Sequence, residues 1–281
     1  MLLRLKSFLL LGVLVLTGLT SVFAQENSDN TQKKKKQNDK QQPADISKNS
    51  GKGASKNTTA EQVAESTILV YGNFGGRQNL NQIRKTTVER GKISIVNAEG
   101  KTEQANYERL VLRADKLEKE RIRFNQEFPN SKYALIYSDN KIFGLYNDAV
   151  FAPREDASKA FENQIWHGLE ALLRYKENES KLELAANEKI AGIELYALDV
   201  TDKQNRKTRF YISTKSLRVM MLEYTQETTK YRRRFYDYNV AQGTLVPYRT
   251  VLWANDKQIE ETEIQTVSFG QKIEENIFQA G

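Results

Sequence analysis

Strand-like segments alternate with short polar turns along most of this 281-residue chain, and this alternation constrains the fold more than any other feature. The segments are rich in β-branched and aromatic residues, and turns such as 97–100 and 139–140 separate them. Short connections join antiparallel neighbours, because a parallel pair needs a crossover of about a dozen residues or more. The predicted strands are 86–96, 103–114, 118–125, 133–138, 141–146, 181–184, 193–200, 207–213, 218–224, 230–240, 245–253 and 258–269.

An open antiparallel sheet of about a dozen strands has to curl. In segment 133–137 both faces are apolar, so either something covers the sheet on each side or one face lines a cavity. We therefore expect an α+β fold that is mainly antiparallel β. Its form would be a curved, unclosed β-barrel of about a dozen strands, with two or three helices plugging the concave face.

A first helix is predicted to begin near residue 60 and to end at Gly72. Either Thr58 with Glu61 or Thr59 with Gln62 has the spacing of a capping box, in which a hydroxyl and a longer side chain satisfy backbone N–H groups reciprocally. The sequence leaves both pairings open.

A second, strongly amphipathic helix is predicted over residues 156–175. His167 lies outside its apolar stripe, so we expect it on the surface or at a rim. The stripe and the tryptophan that flanks it consist of Phe161, Ile165, Leu169, Leu172, Leu173 and Trp166.

Residues 1–24 have the three parts of a secretory signal peptide. Arg4 and Lys6 precede an apolar run, and the small residues Val22 and Ala24 suit cleavage before Gln25. The apolar run is too short for a membrane anchor, which needs about 20 residues. Because Gln25 is not a cysteine, no acceptor for a lipoprotein anchor follows the predicted cut. We expect an exported, soluble protein of the periplasm or a similar compartment.

Residues 25–59 form a predicted disordered linker rich in Lys, Gln and Asn, which cannot bury enough apolar surface to fold. The signal contributes +2 and the linker +4 to the net charge of +7, which leaves about +1 for residues 60–281. No nucleic-acid partner is therefore expected. The linker is either a solvated tether or a peripheral contact with an anionic surface. The residues that would make this contact are Lys33, Lys34, Lys35 and Lys36.

Catalytic and metal chemistry lacks candidates in this sequence. The chain has no cysteine and one histidine, which excludes disulfides, thiol nucleophiles and multi-histidine metal clusters. Asp199 with Asp202, and Glu274 with Glu275, are acid–base candidates only because they are carboxylates, and turn or surface roles are expected for them. We predict no enzyme activity, no cofactor and no metal.

A set of short segments spread over roughly residues 60–281 has a familiar pattern: 75–76, 80, 83–84, 192–198, 209–219, 235–240, 243, 245–247, 264–269 and 273–278. In these segments the chain resembles outer-membrane lipoprotein-sorting (LolA-like) proteins, and we treat residues 60–281 as a single domain. This resemblance implies an unclosed β-barrel whose apolar cavity shelters acyl chains during passage through the periplasm. The long Lys-rich linker and the triple arginine at 232–234 depart from the best-known carriers.

The alternation of side chains along the strands and the apolar stripe of the second helix give candidate residues for the cavity wall. For each of them, the alternative is a core residue that contacts no ligand. The strand candidates are Tyr133, Leu135 and Tyr137; Phe143 and Leu145; Met220, Leu222 and Tyr224; and Tyr248 and Leu252. The helix candidates are Phe161, Ile165, Trp166 and Leu169. Strand alternation places two of Arg232, Arg233 and Arg234 on one face and one on the other, either at a solvated edge or beside a phosphate head group.

The function that these expectations favour is a carrier that shelters the acyl chains of a lipid or lipidated protein. Inner- or outer-membrane lipoprotein-handling proteins would be its partners. The alternative is an interaction or stress-sensing module of the same fold that binds a membrane protein.

Overall fold

The computed structural model describes residues 58–97, 99–147 and 149–279. The predicted signal peptide and nearly all of the predicted linker lie outside these residues. The helices are α1 (Ala60–Tyr71), α2 (Gly76–Ile83), α3 (Glu155–Trp166) and α4 (Leu169–Leu173), with 3-10 turns at Leu117–Lys119 and Glu275–Phe278. The strands are β1 (Thr86–Val96), β2 (Thr102–Leu112), β3 (Arg121–Phe128), β4 (Ser131–Ser138), β5 (Lys141–Tyr146), β6 (Ala149–Phe151), β7 (Lys181–Leu184), β8 (Glu188–Ile190), β9 (Ile193–Thr201), β10 (Lys207–Ser213), β11 (Val219–Gln226), β12 (Thr229–Ala241), β13 (Thr244–Ala254) and β14 (Lys257–Phe269).

The strands form one curved, unclosed sheet of 14 antiparallel strands, which confirms the predicted fold class. The order across the sheet is β6-β5-β4-β3-β2-β1-β14-β13-β12-β11-β10-β9-β7, and β8 also pairs with β9. Two meanders, β1 to β6 and β9 to β14, therefore meet where the first strand pairs with the last. The two strands that sequence analysis missed are β6 and β8, each only three residues long.

Helix α1 begins at the second of the two predicted capping boxes. The Thr59 hydroxyl accepts a hydrogen bond from the Gln62 backbone N–H at 3.2 Å, and the Gln62 side chain accepts one from the Thr59 N–H at 2.9 Å. The buried face of α1 is Val63, Ala64, Thr67, Ile68 and Tyr71.

The predicted helix over 156–175 is wrong as a single helix, because the chain breaks at His167 and Gly168 into α3 and α4. A Cβ atom on residue 168 would lie 2.7 Å from the Gln164 carbonyl oxygen, so the tight turn requires glycine. The break lets the two helices pack on different parts of the sheet.

Two apolar cores lie on the concave face. In the first, Phe161 and Ile165 of α3 pack against β1 to β4, including Ile122 and Phe124. In the second, α1, α2 and α4 pack against β9 to β13. Each fully buried Leu or Phe contributes about 1.5–3 kcal/mol to folding.

The outer face of the sheet is also partly covered, which explains the apolar residues on both faces of β4. Tyr133, Leu135 and Tyr137 face the concave side, whereas Ala134 and Ile136 face outward. The C-terminal 3-10 turn packs on β3 and β4, and its Ile277 carbonyl accepts a hydrogen bond from the Arg123 guanidinium. Within the described ranges, no helix is long and apolar enough to cross a membrane.

Candidate functional site: a hollow beneath helix α3

The floor of the candidate site is the middle of the sheet, where β1, β14, β13 and β12 lie side by side. One row of cross-strand partners runs from Ile93 through Thr262 and Thr250 to Phe235. The large residues at the two ends belong to the two cores, and the two threonines between them are smaller. The cores therefore do not meet, and space remains between them.

We call this space the central hollow; it has a volume of about 210 Å³. Thr87, Thr250, Thr262 and Val267 lie in its floor, and residues at the α3–α4 junction, including Ile165 and Leu169, form its roof. In another protein, a dry apolar cavity of about 150 Å³ binds benzene. The central hollow alone is thus large enough for a small group but smaller than a typical ligand pocket of about 300–1,000 Å³.

A second space, the side hollow, lies beneath α3 and has a volume of about 760 Å³. It shares Ile93, Phe124, Gln164 and Glu260 with the central hollow, so the two spaces adjoin. The larger apolar side chains that also line it include Ile95, Phe128, Tyr133, Leu135, Phe161, Tyr224, Tyr231, Leu252 and Ile259.

An apolar groove of about 510 Å³ extends from the side hollow to the edge of the sheet at β6. It shares Tyr133, Leu135, Arg154 and Ala157 with the side hollow. Phe151 and Tyr146 also line this edge groove, and they are among the few exposed large hydrophobic side chains of the described residues. An aliphatic chain entering here would meet little polar surface.

Seven of the predicted cavity residues line these spaces. They are Ile165 and Leu169 in the central hollow, and Tyr133, Leu135, Phe161, Tyr224 and Leu252 in the side hollow. Tyr137 and Leu222 are instead buried in the two cores. Trp166 borders other grooves, beneath the Arg206 guanidinium, which lies 3.8 Å from the centroid of its ring.

Four predicted cavity residues lie elsewhere. Phe143 and Leu145 pair with Ile136 and Ala134, and they therefore face outward. Met220 lies at a β-bulge, where the register of β10 and β11 shifts between Tyr211 and Ile212. The bulge turns the Met220 side chain toward a cluster around Met221 on the outer face of the sheet. Tyr248 is half-buried and is absent from the linings of the three spaces described above.

The three consecutive arginines alternate across the sheet as strand parity predicts. Arg233 faces inward, lines the central hollow and forms an ion pair with Glu260 at 3.1 Å. Arg232 and Arg234 face outward, where Arg232 pairs with Glu223 at 2.9 Å and Arg234 lies over the Trp253 ring.

Sequence analysis missed a group of charged residues at one side of the central hollow. Glu170 of α4 binds Arg84 at 2.8 Å and Arg113 at 2.5 Å. Burial alone would raise the pKa of the Glu170 carboxyl, but Arg113 and Arg84 outweigh burial and hold it at about 2. Glu120 and Arg174 form a buried ion pair nearby. No local motif marks these residues, because only Glu170 and Arg174, in α4 and at its C-cap, are close in sequence.

His167 is buried rather than on the surface, with 7% of its area exposed. Its ring stacks on Tyr224 with centroids 4.0 Å apart, and its Nδ1 lies 2.7 Å from the Thr208 hydroxyl. Burial and, secondarily, the Arg206 charge lower the pKa of His167 to about 4. The His167 ring lies at the edge of an open groove, but it is packed below the surface of that groove.

The carboxylates considered as acid–base candidates are held in ion pairs. Asp199 binds both Arg209 and Lys207 at 2.7 Å, and Asp202 binds Arg206 at 2.6 Å. Glu274 pairs with Lys272, and Glu275 pairs with Arg121. Within the part of the chain that the structure describes, no three His, Asp or Glu side chains are grouped to hold a metal ion.

Comparison with known proteins identifies the fold. No family model matches the chain, and no curated protein sequence does. Among solved structures, a DUF1329 family protein from Desulfovibrio piger superposes with a TM-score of 0.57 at 12% identity, over 79% of this chain and 97% of that one. A LolA superfamily protein from Nitrosomonas europaea superposes with a TM-score of 0.56 at 12% identity, also over 79% and 97%. The resemblance to LolA-like proteins is thus confirmed at the level of the fold.

Proposed function

We propose that this protein is an exported carrier that shelters an acyl chain of a lipid or lipidated protein. The observation that supports this most is the pair of adjoining hollows of about 210 and 760 Å³ beneath α3. Their apolar walls come from both halves of the sheet. The predicted signal peptide supports export, and the LolA-like fold is compatible with carriage. Lipoprotein-handling proteins of the two membranes are the proposed partners.

The energetics suit a carrier. Transfer of an acyl chain of about 16 carbons from water contributes roughly 12 kcal/mol, at about 0.8 kcal/mol per methylene. The loss of freedom on association costs an estimated 4–15 kcal/mol. Binding would therefore be moderate and reversible, which allows both uptake and release.

A matched pair of variants on β14 tests whether the hollow binds the chain. Thr262 lies in the floor of the central hollow, whereas Thr266 is exposed on the outer face of the same strand. We expect Thr262→Phe to weaken binding of a fluorescent fatty acid by at least about tenfold, because the ring displaces two or more methylenes. Thr266→Phe should bind like the parent protein. Equal affinities for all three proteins would contradict the proposal.

Native mass spectrometry of protein purified from its own periplasm, combined with lipid extraction, tests the same proposal without a chosen ligand. We expect co-purifying lipid or lipidated protein, reduced in Thr262→Phe. If the extracts are empty while a membrane protein co-purifies equally with both β14 variants, the carrier proposal is wrong and the interaction module takes its place.

A further inference from the structure

Arg109 is an arginine of the central hollow that forms no direct ion pair with the described residues. It lies on β2, directly across from Glu89 of β1 and Phe124 of β3 on the concave face. Its side chain lines the central hollow, and its Nε is buried without a hydrogen-bond partner. Over the described residues, its guanidinium makes neither an ion pair within 4.0 Å nor a hydrogen bond.

The other arginines of the central hollow each form a direct ion pair. Arg84 and Arg113 share Glu170, and Arg233 pairs with Glu260. Glu89, which faces Arg109, instead accepts a hydrogen bond from the Tyr107 hydroxyl at 2.8 Å. The Arg109 guanidinium is therefore a partly buried donor group without an acceptor, which favours a ligand that brings acceptor oxygens to it.

We propose that Arg109 binds the anionic head of a single-chain amphiphile, such as a fatty-acid carboxylate, whose tail lies in the side hollow. A guanidinium presents two parallel donors that match the two oxygens of a carboxylate. The tail would pass Phe124 and Ile93, which both hollows share, and reach walls such as Phe161 and Leu135. This inference rests on the proposed function and narrows the cargo to ligands whose head enters first.

The test compares hexadecanoate with hexadecanol, which has the same chain length but no charge, by displacement of a fluorescent fatty acid. In the parent protein hexadecanoate should bind about 10- to 100-fold more tightly, because hydrogen bonds to a charged group contribute that much. Arg109→Gln should remove this preference while hexadecanol affinity stays unchanged. Arg109→Lys, which keeps the charge but loses the two parallel donors, should retain part of it.

Thermal unfolding separates a binding role from a structural one. Because the Arg109 guanidinium makes no hydrogen bond or direct ion pair with the described residues, Arg109→Gln should unfold at the same or a higher temperature than the parent protein. Arg90→Gln is the control, since Arg90 lies on the outer face of β1 and pairs with Glu108. This control should keep the preference for hexadecanoate.

Two results overturn the inference alone: equal affinity of the parent protein for the two probes, or an unchanged preference in Arg109→Gln. A lower unfolding temperature in Arg109→Gln together with weaker binding of both probes also overturns it, because that result indicates a structural role. If neither probe binds the parent protein, the inference and the proposed function are both wrong.

Discussion

At the scale of single residues, His167 shows how burial converts a titratable group into a structural one. Its ring is stacked on Tyr224, which in turn stacks on Tyr231 with centroids 4.9 Å apart. A proton on this ring would be poorly solvated and would lie near Arg206. The neutral form is therefore the one that the folded protein accommodates.

We predict that His167 makes the protein acid-sensitive. Its pKa is about 4 in the folded state and 6.5 in the unfolded state, so the unfolded state binds more protons between these values. The free energy of unfolding is therefore unaffected by this titration above pH 6.5. It falls by at most about 3 kcal/mol as the pH drops from 6.5 toward 4.

Urea unfolding of the parent protein and His167→Gln between pH 8 and pH 4 tests this prediction. The variant lacks the titrating ring, so the stability difference between the two proteins should shrink as the pH falls. A difference that is the same at every pH would contradict the prediction. The carboxylates that titrate in this range are the same in both proteins, so their effect cancels in the difference between the two free energies of unfolding.

At the scale of elements, the pairing of β1 with β14 joins the two halves of the sheet, and it contains a bulge. The register shifts between Arg90 and Gly91. A Cβ atom on residue 91 would lie 2.0 Å from the Glu263 carbonyl oxygen of β14. Glycine at this position is therefore what allows the two strands to approach.

We expect Gly91→Ala to destabilise the protein by about 2–3 kcal/mol, because the obstructing atom belongs to the backbone and both strands would have to shift. Gly144→Ala is the comparison. There a Cβ atom would meet the Phe151 ring, a side chain at the exposed edge that can rotate away. Chemical denaturation should show a clearly larger loss for Gly91→Ala, and equal losses would refute the argument.

The break between α3 and α4 determines where the two helices pack. A continuous helix over 156–175 could not place Phe161 on β3 and Leu172 on the second core while following the curve of the sheet. With the break at Gly168, each half packs on its own core. The central hollow lies under the junction.

At the scale of the whole molecule, two cores share one sheet, and backbone hydrogen bonds connect them through β1, β14 and β13. Losing either core would also disrupt pairing in the middle of the sheet. We therefore predict a single cooperative unfolding transition.

The two tryptophans of the chain can report on this prediction separately. Trp166 lies beside the first core, and Trp253 lies on β13 in the other half. In Trp166→Phe and in Trp253→Phe, the midpoint of urea unfolding seen by the remaining tryptophan should coincide with the midpoint seen by circular dichroism. Separated midpoints would show that the halves unfold independently.

Local sequence determined the elements and their pairing within each meander. Twelve of the strands were predictable, because alternating side chains and short polar turns specify antiparallel neighbours without distant contacts. The start of α1 was predictable to within one residue, because its cap is a contact between residues three apart. Four predicted strand residues and three predicted helix residues line the hollows for the same reason.

Tertiary structure alone decided the rest. The bulge at Met220 depends on how β10 and β11 pair, so strand parity assigned that side chain to the wrong face. The helix break depends on where the two cores lie, and the charged lining of the central hollow unites Arg84, Arg109, Glu170 and Glu260 from four parts of the chain. Periodicity reports which face a residue takes on its own element. It carries no information about which distant elements come together, and that arrangement is what gives Arg84, Arg113 and Arg233 their ion-pair partners in the hollow.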